Sequence, residues 1–192
     1  MSVKQPRGAR PALPGTPKLD EADIEQMIRV DHAGEFGALC IYEGQLAVLE
    51  RNSAASTNVD AIKRMAEQER THFAAFERMV KDRAVRPTAL EPLWHAAGYA
   101  LGAATALMGE KAALACTVAV EDVIDDHYEK QIERLGNTDP ELRETVAKFH
   151  RDEIEHRDEA LARGAREAPG YPLLAAAIRL SCRIAISLSE RI

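Results

Sequence analysis

Arg151-Asp152-Glu153-Ile154-Glu155-His156, read on a helix, sets Glu153 and His156 three residues apart and therefore on one face. The same spacing recurs upstream in Gln68-Glu69-Arg70-Thr71-His72. One such pair is weak evidence, but here each follows a matched glutamate. Glu69 stands 34 residues after Glu35, and Glu153 stands 32 after Glu121. Seven residues past Glu35 begins Tyr42-Glu43-Gly44-Gln45-Leu46, and seven past Glu121 begins Tyr128-Glu129-Lys130-Gln131-Ile132. Each interval fits two turns of one helix, a short loop and a partner helix coming back. The chain therefore reads as two copies of one helical hairpin.

Working outward, six helical segments can be drawn. They run from near Glu21 to Arg51, Val59 to Arg83, Leu93 to Met108, Lys111 to Leu135, Thr138-Asp139-Pro140 to about Gly164, and Leu173 to Ile192. Pro140 sits in a first turn, where its missing N–H costs nothing. Apolar residues make up 46% of the chain and aromatics only 5%, so Ala, Leu, Ile and Val dominate, a mix that favours helix. No sustained period-two run marks a strand. The expected organisation is a tail over residues 1–22, rich in Pro, Gly and basic residues, and one domain over 23–192.

Glu35, Glu69, His72, Glu121, Glu153 and His156 together form the ligand pattern of ferritin-like di-iron and di-manganese bundles. There, two helices each give one Glu and two others each give Glu-x-x-His. The fold expected is thus all-α: a ferritin-like four-helix bundle from two repeated hairpins, plus two additional apolar or amphipathic helices. Four carboxylates and two neutral imidazoles carry a charge that two divalent ions cancel. Oxygen-rich ligation suits Fe or Mn better than structural Zn. In such sites Glu69 and Glu153 would bridge, with Glu35 and Glu121 terminal. A plain bundle with these side chains in solvent is the competing reading, but four acids at core-facing positions are costly to bury without a cation.

Around the ligands, Asp152 directly precedes Glu153 and is placed to accept an N–H from an imidazole on a facing helix; Gln68 holds the matching place. Tyr42 and Tyr128 lie two turns from a ligand. Tyr128 and its neighbour His127 are candidates to relay protons or electrons, against an ordinary buried tyrosine. Gly34, Gly37 and Ala38 crowd around Glu35, which fits either close helix approach or a channel toward the metals. His32 and His95 lack carboxylates at ligand spacing and read as non-ligands. Cys40, Cys116 and Cys182 are scattered and read as reduced core thiols.

The net charge of −6, with no concentrated basic face, argues against nucleic acid as a partner. The start of the chain has no apolar run of the secretory kind. Leu93 to Gly109 is uncharged and rich in small residues, and Leu173 to Ile192 is apolar with Arg179, Arg183 and Arg191 at intervals. Peripheral contact with a bilayer, or a subunit interface in a homo-oligomer, accounts for both better than spanning does.

These residues resemble the demethoxyubiquinone hydroxylase family of ubiquinone biosynthesis, from about Asp23 to Ile192. The resemblance rests on RVDHAGEFGA around Glu35, ACTVAVEDVIDDHY around Glu121 and DEIEH around Glu153, with VRPTALEPLW and CRIAISLSERI in support. It implies a di-iron monooxygenase that uses O2 to hydroxylate the quinone or quinol ring of a polyprenylated demethoxyubiquinone precursor. It further implies a peripheral protein on the cytoplasmic face of the inner membrane, or on the matrix side of the mitochondrial inner membrane, with a lipid-presenting partner protein. Electrons would have to come from outside, because no Gly-rich nucleotide loop is visible, and the resemblance implies NADH or the quinol pool as their source. A ferritin-like ferroxidase or iron-handling protein, and a manganese catalase-like peroxide-removing protein, would use the same six ligands. A non-enzymatic scaffold or metal-dependent regulator needs only the bundle.

Overall fold

A computed structural model describes residues 19–53 and 56–192. Six α-helices account for most of it: α1 (Glu21–Ser53), α2 (Thr57–Asp82), α3 (Glu91–Leu107), α4 (Glu110–Leu135), α5 (Pro140–Ala162) and α6 (Tyr171–Ser189). No strand occurs among the described residues. The tail expected over residues 1–22 lies outside them up to residue 18, while Leu19 is buried and α1 already begins at Glu21.

Helix ends follow from local chemistry. The Ser56 hydroxyl accepts from the Asn58 N–H to start α2, and Asp139 accepts from the Leu142 N–H to start α5, with Pro140 in the first turn. Asp139 also pairs with Arg83 at the end of α2, tying the tips of the two hairpins together. Helices α3 and α6 start earlier than their apolar runs, at Glu91 and Tyr171, because Pro92 and Pro172 fit the first helical turn instead of blocking it. A single 3₁₀ turn, Ala165–Glu167, fills the connection before α6.

Helices α1, α2, α4 and α5 form a ferritin-like bundle with two apolar layers. Leu49, Ile62, Met65 and Leu114 fill one end, and Ile28, Phe76, Leu135, Leu142 and Phe149 fill the other. Burying each such side chain contributes roughly 1.5–3 kcal/mol, so the two ends clamp whatever lies between them. Glu35, Glu69, Glu121 and Glu153 all sit at mid-helix, in that middle layer.

The third and sixth segments are the two additional helices, and their packing is itself duplicated. Helix α3 packs on α1 and α6 packs on α4, so the duplication extends to a third helix in each half. Glycines let α3 approach: a Cβ on Gly102 would lie 1.9 Å from the Ile41 carbonyl oxygen, and one on Gly44 would lie 2.2 Å from that of Tyr99. The outer ends of α3 and α6 meet where the Trp94 indole N–H donates to Ser189 Oγ at 3.1 Å. Helix α6 attaches through apolar and polar contacts, with Ala175 and Ile178 packed among Cys116, Ala119 and Val120. Arg179 pairs with Asp122 at 2.6 Å, and Gln26 donates to the Glu190 carbonyl at 2.8 Å.

Candidate metal centre

The mid-bundle layer brings six side chains together, each no more than 4% exposed: Glu35, Glu69, His72, Glu121, Glu153 and His156. They fall into two sets of four, Glu35/Glu69/His72/Glu153 and Glu69/Glu121/Glu153/His156, the atoms of each lying within 4.8 Å of one another. Glu69 and Glu153 belong to both sets. His72 Nδ1 stands 2.9 Å from Glu153 Oε1 and 3.6 Å from Glu35 Oε2. His156 Nδ1 stands 3.0 Å from Glu153 Oε2 and 3.2 Å from Glu69 Oε1.

Each imidazole is oriented from the opposite hairpin. His72 Nε2 donates to Asp152 Oδ2 at 3.1 Å, and His156 Nε2 donates to Gln68 Oε1 at 3.0 Å. With Nε2 occupied, Nδ1 of both rings is turned inward. Phe149 stacks on the His72 ring at 4.0 Å and fixes its plane. The tyrosines cross over in the same way. Tyr42 donates to Glu121 Oε1 at 3.1 Å, and Tyr128 donates to Glu35 Oε1.

Burial dominates the electrostatics. It pushes the Glu35 and Glu121 carboxyls well above the usual carboxylate range, reinforced by their like-charged neighbours Glu69 and Glu153. Glu69 is equally buried, yet the facing rings of His156 and His72 hold it down at about 2. Burial opposes charge on the two imidazoles as well, but the surrounding carboxylates outweigh it. His72 is raised strongly, and His156 is raised to about 11.

These partnerships are incomplete. Glu69 Oε1, Glu153 Oε1 and His72 Nδ1 are buried without an aligned hydrogen bond, although His72 Nδ1 and Glu153 Oε1 are close. Leaving such atoms unsatisfied costs about 1–3 kcal/mol each, more when charged. A cation among them satisfies all three and relieves the repulsion among the acids. The cluster can hold a metal, and its oxygen-rich donor set suits a hard or borderline transition ion.

Beside the cluster lies a cavity of about 350 Å³. Its walls are apolar and come from α1, α3, α4 and α6. Gly34, Ala38 and Ile124 line both this cavity and the small space among the carboxylates. A Cβ on Gly34 or Gly37 would meet nothing within 4 Å, so these two glycines keep space open. Close helix approach belongs instead to Gly44, Gly98 and Gly102.

The remaining sequence candidates are placed as follows. His127 does not reach the cluster; its Nε2 lies 3.1 Å from Asp31 Oδ1. His32 is buried against Phe73, and His95 is exposed on α3 near Phe36, both outside the cluster. Cys40 and Cys116 are buried; half-buried Cys182 lines the cavity, and burial pushes its thiol to about 11. Sequence reasoning missed Asp31 and Gln131, whose side chains meet at 2.6 Å in the interior. The available signal was Asp31's position one helical turn before Glu35.

Comparison with known proteins agrees with this geometry. The family described as Ubiquinone biosynthesis protein COQ7 matches residues 22–189. A 3-demethoxyubiquinol 3-hydroxylase from Rhodospirillum rubrum is 52% identical over 184 residues, covering 96% of this chain and 85% of that protein. The human NADPH-dependent 3-demethoxyubiquinone 3-hydroxylase, a mitochondrial protein, is 46% identical over 178 residues, covering 91% and 80%. The mitochondrial 5-demethoxyubiquinone hydroxylase of Saccharomyces cerevisiae is 39% identical over 186 residues, covering 89% and 79%. With the match running from the start of α1 to the end of α6, the chain belongs to the COQ7 family of ubiquinone biosynthesis proteins.

Proposed function

We propose that the chain is an O2-dependent monooxygenase that hydroxylates the ring of a polyprenylated demethoxyubiquinol, using two iron ions per chain. The carrying observation is the contact between a buried cluster of four carboxylates and two imidazoles and an apolar cavity of about 350 Å³. In this reading Glu35, Glu69, His72 and Glu153 would hold one ion and Glu69, Glu121, Glu153 and His156 the other, with Glu69 and Glu153 common to both sets. Ferrous iron held there would supply the reducing power that activates O2 for hydroxylation of the ring.

The protein's own contribution is positional. Asp152 and Gln68 keep both imidazoles turned inward, and Tyr42 and Tyr128 steer Glu121 and Glu35. The walls formed by α1, α3 and α6 exclude water and take up the ring with the first part of its tail. Tyr128 and His127 serve as relay residues between the surface and the Glu35 side.

Exposed Leu93, Tyr99 and Leu107 on α3 and Met108 at its C-terminal cap, with Leu173, Leu180 and Ile184 on α6, form the surface along which the tail leaves. Of the described helices, α6 alone is long and apolar enough to cross a membrane. Its arginines and its place on the bundle favour lying on the bilayer instead. The reading therefore includes peripheral attachment to the membrane that carries the quinone: the cytoplasmic face of the inner membrane in a bacterium, the matrix face in a mitochondrion. A lipid-presenting partner or a second copy of the chain would cover the same surface. A ferroxidase would need the cluster but has no use for the adjoining cavity, which sets the hydroxylase first.

The test is isotopic. Protein loaded anaerobically with Fe(II) is given a demethoxyubiquinol analogue and then ¹⁸O₂, with the product read by mass spectrometry. Labelled oxygen on the ring, absent with E153A, is the expected result. Unlabelled quinol alongside oxidised iron would transfer the assignment to ferroxidase chemistry.

A further inference from the structure

The shift of 86 residues that carries Glu35 onto Glu121 also carries Tyr42 onto Tyr128 and Gln45 onto Gln131. Through the six cluster residues and both tyrosines the two halves are equivalent. One layer further out they are not. The same shift pairs Asp31 with Thr117 and His127 with Ile41. On the Glu121 side the outer layer is Ile41, which lines the apolar cavity, and Thr117. On the Glu35 side it is an aspartate and a histidine.

Asp31 is the more demanding of these two. Its side chain is 0% exposed, and both oxygens are engaged, Oδ1 by His127 Nε2 at 3.1 Å and Oδ2 by Gln131 Nε2 at 2.6 Å. A carboxylate so enclosed is costly unless hydrogen-bonded throughout, and its repeat partner is a neutral threonine, so the fold does not require it. His127, by contrast, is 22% exposed and reaches solvent. Asp31 lies one helical turn from Glu35, with Cβ atoms roughly 5–6 Å apart in that spacing, a gap one water can bridge. Tyr128, which donates to Glu35, follows His127 directly in the chain.

Resting on the hydroxylase reading, we propose that Asp31 is a proton-relay residue. It links partly exposed His127 to the Tyr128–Glu35 side of the cluster, and Gln131 fixes its orientation. The reaction requires such a path. A ring C–H, O2, two electrons from a reduced nicotinamide or quinol donor, and two protons give a ring C–OH and one water. Both protons must reach a cluster no more than 4% exposed. The cavity side carries few groups to convey them: Ser181 Oγ is committed to the Ile178 carbonyl and Ser189 Oγ to the Trp94 indole. The halves thus divide the labour, with the apolar side taking the ring and the polar side taking protons.

The experiment uses the full chain in two states. In metal-free protein, ¹⁵N NMR should find the His127 proton on Nε2, and D31N should displace it. In Fe(II)-loaded protein, H127G should slow ferrous oxidation by O2 at least tenfold with iron content unchanged, and added imidazole should restore most of the rate. D31N should be slowed similarly without rescue, while D31E recovers part of the rate. Wild-type rates in both H127G and D31N would overturn the proposal, as would an H127G defect that imidazole cannot relieve. If D31N fails to hold iron, the imidazole response of H127G decides alone. Following iron oxidation separately from ring hydroxylation keeps the two readings apart. A wild-type protein that oxidises iron without hydroxylating the quinol removes the hydroxylase, and the rescue still judges the relay.

Discussion

Glu35 and Glu121 are held as acids by burial, and His72 and His156 are held as cations by the carboxylates around them. In the metal-free protein these four groups bind protons more tightly when folded than when unfolded. Stability contributed in this way is present at low pH and is lost as pH rises. The imidazole share should decline above 6.5, the value of a free histidine, and be gone past the value of about 11 reached by His156. Thermal unfolding of chelator-treated protein should therefore show a midpoint that falls as pH rises. Added Fe(II) should reverse the trend, because metal replaces the lost protons. The orienting contacts supply a second prediction. D152A and Q68A each free one imidazole to rotate and should weaken iron binding by about 10–100-fold, measured by competition with a chromophoric chelator. The six clustered residues were legible in sequence because Glu-x-x-His spacing and the repeat fix them without tertiary knowledge. Asp31 was not, because its meaning comes from His127 and Gln131, which only the packing of α1 against α4 brings to it.

At the level of elements, glycines of two packed helices, α1 and α3, do opposite jobs. Gly102 admits the α1 backbone, and a methyl there would collide with the Ile41 carbonyl at 1.9 Å. G102A should cost about 3 kcal/mol in chemical denaturation, as overpacking does. Its counterpart on the cavity wall, Gly34, meets nothing within 4 Å. G34A should gain about 1 kcal/mol from helix propensity while reducing quinol hydroxylation, and G34L should abolish hydroxylation with iron still bound. Stability and activity moving in opposite directions would mark the space as kept for a substrate. The sequence alone weighed close approach against a channel at Gly34 and Gly37. Helical period places a residue on a face, but what stands opposite that face depends on α3 and α6. Their pairing as equivalent third helices was hidden for the same reason, since apolar runs of unlike length and composition leave no repeated motif.

For the molecule as a whole, α3 and α6 leave large apolar side chains exposed. Leu107 is 73% exposed, Leu180 60% and Leu173 80%. Each fully buried leucine is worth roughly 1.5–3 kcal/mol, so inserting a few of them is enough to hold a protein at a bilayer. The double variant L107E/L180E should stay folded and retain iron, yet fail to float with liposomes and lose turnover on long-tailed quinol. Turnover on a short-tailed, water-soluble analogue should be largely kept. Fold class and the count of helices were readable from composition and hairpin spacing. The cavity was not, because it is made by four helices that share no sequence signal.

Every support of the cluster crosses from one hairpin to the other: Asp152 to His72, Gln68 to His156, Tyr42 to Glu121 and Tyr128 to Glu35. A nascent chain that has released only α1, α2 and α3 therefore possesses two of the four glutamates and one imidazole with nothing to aim them. A metal ion would find no complete seat on such a half-made chain. The duplicated architecture thus makes a complete, aimed metal seat conditional on both halves having met.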